Sequence, residues 1–147
     1  MINEINPSII PMTDLGPPLR MDSSFEDWFK YERRLTEVLG SETDDEISHQ
    51  GPIITFFGSN DFHHLTLGLV RRFRQPFNFV IFDNHPDWFQ MYPGLHCGSW
   101  VNHVLDLPTT KQGFHMGGYS GEFEDEVMKY MQPWKDFISG KMKYLHF

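Results

Sequence analysis

The chain has 147 residues, 39% of them hydrophobic, with 20 acidic and 12 basic side chains and a net charge of −8 when histidine is neutral. That length and apolar content suit one globular domain with a sizeable core rather than a disordered chain, and the acidic balance disfavours a nucleic-acid partner. Cys97 stands alone, so no intrachain disulfide can form; residues 1–14 hold no basic-then-apolar leader, and no apolar run reaches membrane-spanning length, so a soluble cytoplasmic protein with no membrane partner is expected.

Residues 1–20 contain Pro7, Pro11, Pro17 and Pro18 and predict an irregular, extended lead-in to a single domain spanning 1–147. A helix follows. Ser23 and Glu26 stand at capping-box spacing, Phe25, Trp28, Phe29, Leu35, Val38 and Leu39 share a broad apolar face, and Gly40 supplies a stop. Residues 41–50 are acidic and polar and read as a surface loop. Residues 52–58 form a short run of β-formers that predicts a buried strand ended by Gly58.

Asn60 and Asp61 offer caps for a helix through Leu65, Leu67, Leu69, Val70 and Phe73, broken at Gln75 and Pro76. Residues 77–82 predict the next strand, and the strand–helix–strand order predicts a parallel βαβ unit. Beyond it, residues 99–107 predict a short helix stopped by Pro108. Residues 113–118 predict a strand, 122–131 a helix, and 141–147 a last strand. The reading is α/β.

The residues that carry chemistry lie at predicted strand ends. Asp83-Asn-His85-Pro-Asp87 puts two carboxylates and an imidazole at i, i+2 and i+4 directly after the second strand. On an ideal strand all three point the same way, roughly 6.5–7 Å apart, too far for one ion to collect them. Two neighbouring ions sharing a carboxylate could, and a turn at Pro86 would also bring the ligands closer. His63 begins the segment after the first strand, so in a parallel sheet it should converge with residues 83–87 at the C-terminal edge, where open α/β sheets bind ligands. This mixed N/O set suits Mn²⁺, Zn²⁺, Fe²⁺ or Ni²⁺. Asp and Asn after a strand are also ordinary turn residues; the histidine at the matching strand end favours the metal reading.

Of the neighbouring pair, His63 is expected to face the site and His64 to be packed or hydrogen-bonded in the helix. His96, in the loop after the metal motif, is a candidate proton shuttle. Cys97 reads as a small buried residue, since nothing near it in sequence lowers its pKa. The sequence names no partner for His49, His103 or His115. The aromatic run around Trp88, Phe89 and Tyr92 reads as loop packing.

Three motifs, in this order and spacing, resemble the arginase–agmatinase (ureohydrolase) family. They are Gly58-Ser-Asn-Asp-Phe-His63-His-Leu-Thr-Leu-Gly68, Asp83-Asn-His85-Pro-Asp87 and Leu95-His96-Cys-Gly98. Phe114-His-Met-Gly-Gly118 and Lys143-Tyr-Leu-His-Phe147 resemble later strands of that family, so the likeness covers about residues 52–147.

The resemblance implies a three-layer α-β-α fold with a mainly parallel sheet and two Mn²⁺ ions. His63 and Asp87 would ligate the first ion and His85 the second, Asp83 would be shared, and His96 would carry protons. It implies hydrolysis of a C–N bond in a small guanidino or amide compound. The family completes its site with a D-x-D pair on a later strand, which residues 1–147 lack, so four of six ligands are present. An incomplete site and sheet are expected, with a truncated product, a fragment or a degenerate homologue as the origins, together with weak metal binding and self-association through exposed apolar surface. Phe89 stands where arginine-binding members carry Asn, so a substrate other than arginine is expected. The alternatives are a non-catalytic binding or structural homologue of the family, and a different metallohydrolase drawing ligands from His96 or His115.

Overall fold

The computed structural model describes residues 9–40, 54–90 and 94–146. The expected surface loop at 41–50 with His49, the first two residues of the strand expected at 52–58, Tyr92 and Phe147 lie outside the described residues.

The lead-in is not wholly extended. Pro17 and Pro18 occupy the first turn of a short helix, α1 (Gly16–Leu19), where a missing N–H costs nothing, and Leu15 and Leu19 are buried. The next segment, β1 (Asp22–Ser23), precedes α2 (Phe25–Leu39). The cap of α2 is Ser24, one residue later than the capping-box spacing suggested. Ser24 Oγ accepts from Asp27 N at 3.1 Å and donates to Asp27 Oδ2 at 2.7 Å. Gly40, at φ 85°, ends the helix in a conformation that favours glycine.

The buried stripe of α2 is Trp28, Tyr31 and Leu35, narrower than the predicted face; Phe25, Phe29 and Val38 are exposed. The stripe packs on α3 (Thr66–Val70), which follows a 3₁₀ turn over Asn60–Leu65. Gly68 makes the close approach feasible, since a Cβ there would meet Tyr31 Cε1 at 2.5 Å. Tyr31 Oη donates to Leu65 O at 2.7 Å.

The strand expected at 52–58 is absent from its described part. Residues 54–57 have no strand pairing, and Ile54 and Phe56 are 78% and 91% exposed. Among the described residues the predicted βαβ unit is therefore not seen in that form. An apolar β-former run becomes a strand only when a neighbour accepts its hydrogen bonds, and residues 54–57 have no strand neighbour among the described residues.

The parallel sheet is built further along the chain. It contains β2 (Phe77–Asp83), then, beyond β3 (Leu95–His96) and α4 (Trp100–Leu105), β4 (Thr110–Gly117). Two short helices, α5 (Glu126–Tyr130, capped by Asp125) and α6 (Trp134–Ile138), lead to β5 (Met142–His146). The order is β2-β4-β5, both pairings parallel. Separately, β1 pairs antiparallel with β3.

The protein is thus α/β. On β2, Phe77, Phe79 and Ile81 face the core, which continues through Val101, Val104 and Leu105 of α4 to α3 and α2. Val80 and Phe82 of β2 and Leu145 of β5 are exposed on the opposite face. No helix among the described residues is long and apolar enough to cross a membrane.

Candidate metal centre

Asp83 is the last residue of β2 and lies opposite Gly117 of β4. Gly117 has φ 135°, and a Cβ there would fall 2.1 Å from Asp83 O, so only glycine lets the strand ends lie this close. After Asp83 the chain turns sharply. His85 N donates to Asp83 Oδ1 at 3.0 Å, Pro86 is buried, and Asp87 takes a left-handed φ of 50°. Few non-glycine residues adopt that conformation, Asp being one of the more tolerant.

This turn folds the i, i+2, i+4 ligand text back on itself. His63 Nε2 lies 3.0 Å from Asp87 Oδ2, and one ligand atom each from His63, Asp83 and Asp87 lie within 4.8 Å of one another. His63 arrives from the 3₁₀ turn, and the described residues just before that turn, 54–59, form no strand. The convergence expected from two adjacent strand ends is achieved instead by one strand end and one loop.

The loop that brings His63 in is secured by the lead-in. Met21 N donates to Asp61 O at 2.8 Å, Cys97 N donates to Met21 O at 2.7 Å, and Arg20 Nε pairs with Asp61 Oδ2 at 2.7 Å. Met21 therefore stitches the His63 loop to the His96 loop, a role its sequence gives no sign of.

Asp87 is 2% exposed, and its Oδ2 also accepts from Trp100 Nε1 at 3.0 Å. A buried carboxylate needs such partners. Burial pulls the pKa of His63 down, but the hydrogen bond and charge of Asp87, with smaller help from Cys97 O and Asp83, outweigh it and leave it raised. A cation bound at Nε2 would displace that proton. Two carboxylates and an imidazole with converging donor atoms, one carboxylate fully buried, fit a divalent ion that accepts N and O ligands.

His85 stands apart from this trio. Its side chain is 58% exposed, with Nδ1 3.6 Å from Asp83 Oδ1. Asp83 is thus common to both groups. Beside them a cleft of about 410 Å³ is lined by Asn60, Phe82, Asp83, Asn84, His85, Met116 and Gly117. His96 is half-buried, its Nδ1 accepting from Gly98 N at 2.9 Å. Burial and the charge of Asp87 push the Cys97 thiol up, so it remains a thiol.

His64 is fully buried and pairs through Nε2 with Ser23 Oγ at 3.0 Å. Burial, with the neighbouring His63 and His96, lowers its pKa to about 4. Trp88 is buried among His115, Phe123 and Phe137, with ring centroids 5.2, 5.6 and 5.2 Å away. It is packing, as the sequence suggested. Two residues have roles at the site that the sequence did not assign. Trp100 holds Asp87, and His115 Nε2 lies 2.8 Å from His85 O. The alternation of β4 carried a signal for the second, because His115 shares the inward parity of Gly113.

No family model matches this chain. A protein of Thermotoga maritima (strain ATCC 43589 / DSM 3109 / JCM 10099 / NBRC 100826 / MSB8), described as an uncharacterized protein, is 42% identical over 60 residues, covering 41% of this chain. The matched stretch spans 24% of that protein's length. No solved structure matches.

Proposed function

We propose that this chain belongs to a metal-dependent hydrolase of the ureohydrolase type, acting on C–N bonds of a small guanidino or amide compound. His63, Asp83 and Asp87 hold one divalent ion, Mn²⁺ by the resemblance, and His85 with Asp83 offers a second, looser position. The observation that carries the reading is the convergence of His63, Asp83 and Asp87 within 4.8 Å, with Asp87 buried and its oxygen already engaged by His63 and Trp100. When bound, divalent ions would supply a Lewis acid and an acidified water.

The chain's own residues bind and orient. Asn60 and Asn84 line the cleft with amides that can hydrogen-bond a guanidino or amide group, and Phe82 and Met116 flank it with apolar surface. The negative charge of Asp83 favours a cationic substrate. His96 is the proposed proton carrier: Nδ1 accepts from Gly98 N, so the exchangeable proton sits on Nε2. A three-layer arginase-like arrangement, a cytoplasmic location and self-association belong to the same proposal, and the exposed side of the sheet at Val80, Phe82 and Leu145 is where a further layer or a second copy would pack.

One observation favours a non-catalytic homologue as a second reading. Among the described residues a single group of three donors converges, and His85 stays exposed beside it. Calorimetric titration with Mn²⁺ and a urea-release assay separate the two. The 147-residue chain is expected to bind Mn²⁺ weakly with little turnover, because two-ion chemistry requires both ions to be firmly held. Asp83→Ala should abolish binding and His96→Ala should leave it nearly intact. Unchanged Mn²⁺ affinity in Asp83→Ala would show the site to be misplaced, and robust turnover would rule out the non-catalytic reading.

A further inference from the structure

The turn that shapes the candidate site is held from the sheet interior. Its outgoing side is tied to the start of α4. Val101 N donates to Asp87 O at 3.0 Å, Asn102 Nδ2 donates to Trp88 O, and Phe89 N donates to Gly98 O at 3.0 Å. On the incoming side, the His85 peptide is held at its N–H by Asp83 and at its carbonyl by the ring of His115, at 2.8 Å.

His115 is well suited to act as a strut. It lies in the middle strand of the sheet, opposite Ile81 on one side and Tyr144 on the other, so its backbone is fixed from both directions. Its side chain has no exposed surface, and its ring packs against Trp88 and Phe123 with ring centroids 5.2 and 5.3 Å away. A carbonyl oxygen can only accept, so Nε2 must carry the hydrogen. Nδ1 is buried with no partner. Protonating it would add an unpaired donor and a buried charge, so Nδ1 keeps its lone pair.

We propose that His115 is a positioning residue of the candidate metal site: with its proton on Nε2, it grips the His85 carbonyl and holds the Asp83–Asp87 turn in the left-handed form that aims Asp87 at His63. It touches no donor atom of the trio and acts through the backbone. The inference rests on the metal reading above and gives His115 a role, behind the ligands rather than among them, that neither the sequence motifs nor the resemblance assigned to it. Groups behind metal ligands commonly contribute about ten- to a hundred-fold in affinity.

The experiment compares Mn²⁺ affinity in wild type, His115→Phe, His115→Gln and Phe123→Leu, each checked for folding by circular dichroism, alongside nitrogen NMR of the imidazoles in the metal-free wild type. His115→Phe keeps a ring of similar size but cannot donate, and should lose about tenfold in Mn²⁺ affinity. His115→Gln restores a donor and should recover most of it. Phe123→Leu disturbs the same aromatic cluster without touching the carbonyl and should bind as wild type does. The NMR should show the Nε2–H tautomer for His115. A purely structural role predicts that affinity follows stability in all three variants, and that result, a folded His115→Phe with wild-type affinity, or an Nδ1–H tautomer would each overturn the proposal. If His115→Phe does not fold, the His115→Gln affinity and the tautomer decide it. If wild type binds no Mn²⁺, it is the metal reading that fails, and this proposal falls with it.

Discussion

Residues 52–58 and 77–83 are two short apolar segments of the same character, each leading into residues of the candidate site. One is β2, with Ile81 only 8% exposed; the described part of the other has no strand, and its Phe56 points into solvent. What separates them is the neighbour. Asp83 can lie against Gly117 because that position is glycine, and β2 is zipped to β4 along its length. Among the described residues the other edge of β2 has no partner strand, and residues 54–57 do not take it. Strand-forming sequence is a permission, and pairing is what uses it.

The largest test of this contrast lies in two left-handed glycines. Gly117→Ala drives a Cβ onto Asp83 O and should destabilise by about 3 kcal/mol or more, parting β2 from β4. Gly58→Ala meets nothing within 4 Å and should cost only about 1 kcal/mol, the price of its positive φ. Denaturant melts of the two variants give both numbers. A cost at Gly58 equal to that at Gly117 would mean the 52–58 segment is packed as tightly as β2.

Side-chain truncation asks the same question of packing. Ile81→Ala should cost about 3 kcal/mol by opening a hole in the core. Phe56→Ala, in the exposed partner segment, should change stability by less than about 0.5 kcal/mol. A loss of 2 kcal/mol or more at Phe56 would break the comparison.

The smallest effect sharpens the comparison through His63 and His64, adjacent residues in one 3₁₀ turn with opposite surroundings. Because the pKa of His64 in the fold is about 4, below its ordinary 6.5, the unfolded chain takes up the proton first as pH falls. Stability from His64 is therefore complete above about pH 6.5 and drains away toward pH 4. In chelator-treated protein, NMR should show the His64 ring still neutral at pH 5.5 while the His63 ring is protonated. A His64 titrating at 6.5 would mean that its pocket is open to water.

Much of this was legible in the sequence, and the residues show why. Helix α2, the strand at 77–83 and the loop of candidate ligands that follows it are written in local pattern: a cap, a glycine stop, an apolar run, a D-x-H-x-D text. The cap was misplaced by one residue because Ser23 and Ser24 both offer a hydroxyl, and the reciprocal partner that decides between them is Asp27 rather than Glu26. The helix at Gly16–Leu19 was hidden by prolines that end most helices but suit a first turn.

By itself the sequence determined an α/β chain, which residue types could hold a metal, and that these stand beside a strand end. Those are properties of composition, spacing and backbone preference, and they act over a few residues. Only the tertiary structure decided that residues 54–57 stay unpaired, that Met21 links the His63 and His96 loops, that Asp87 turns back toward His63, and that a histidine thirty positions away grips His85. Each of these depends on hydrogen bonds between groups distant in the chain, whose formation rests on which surfaces are free to meet once the sheet has formed.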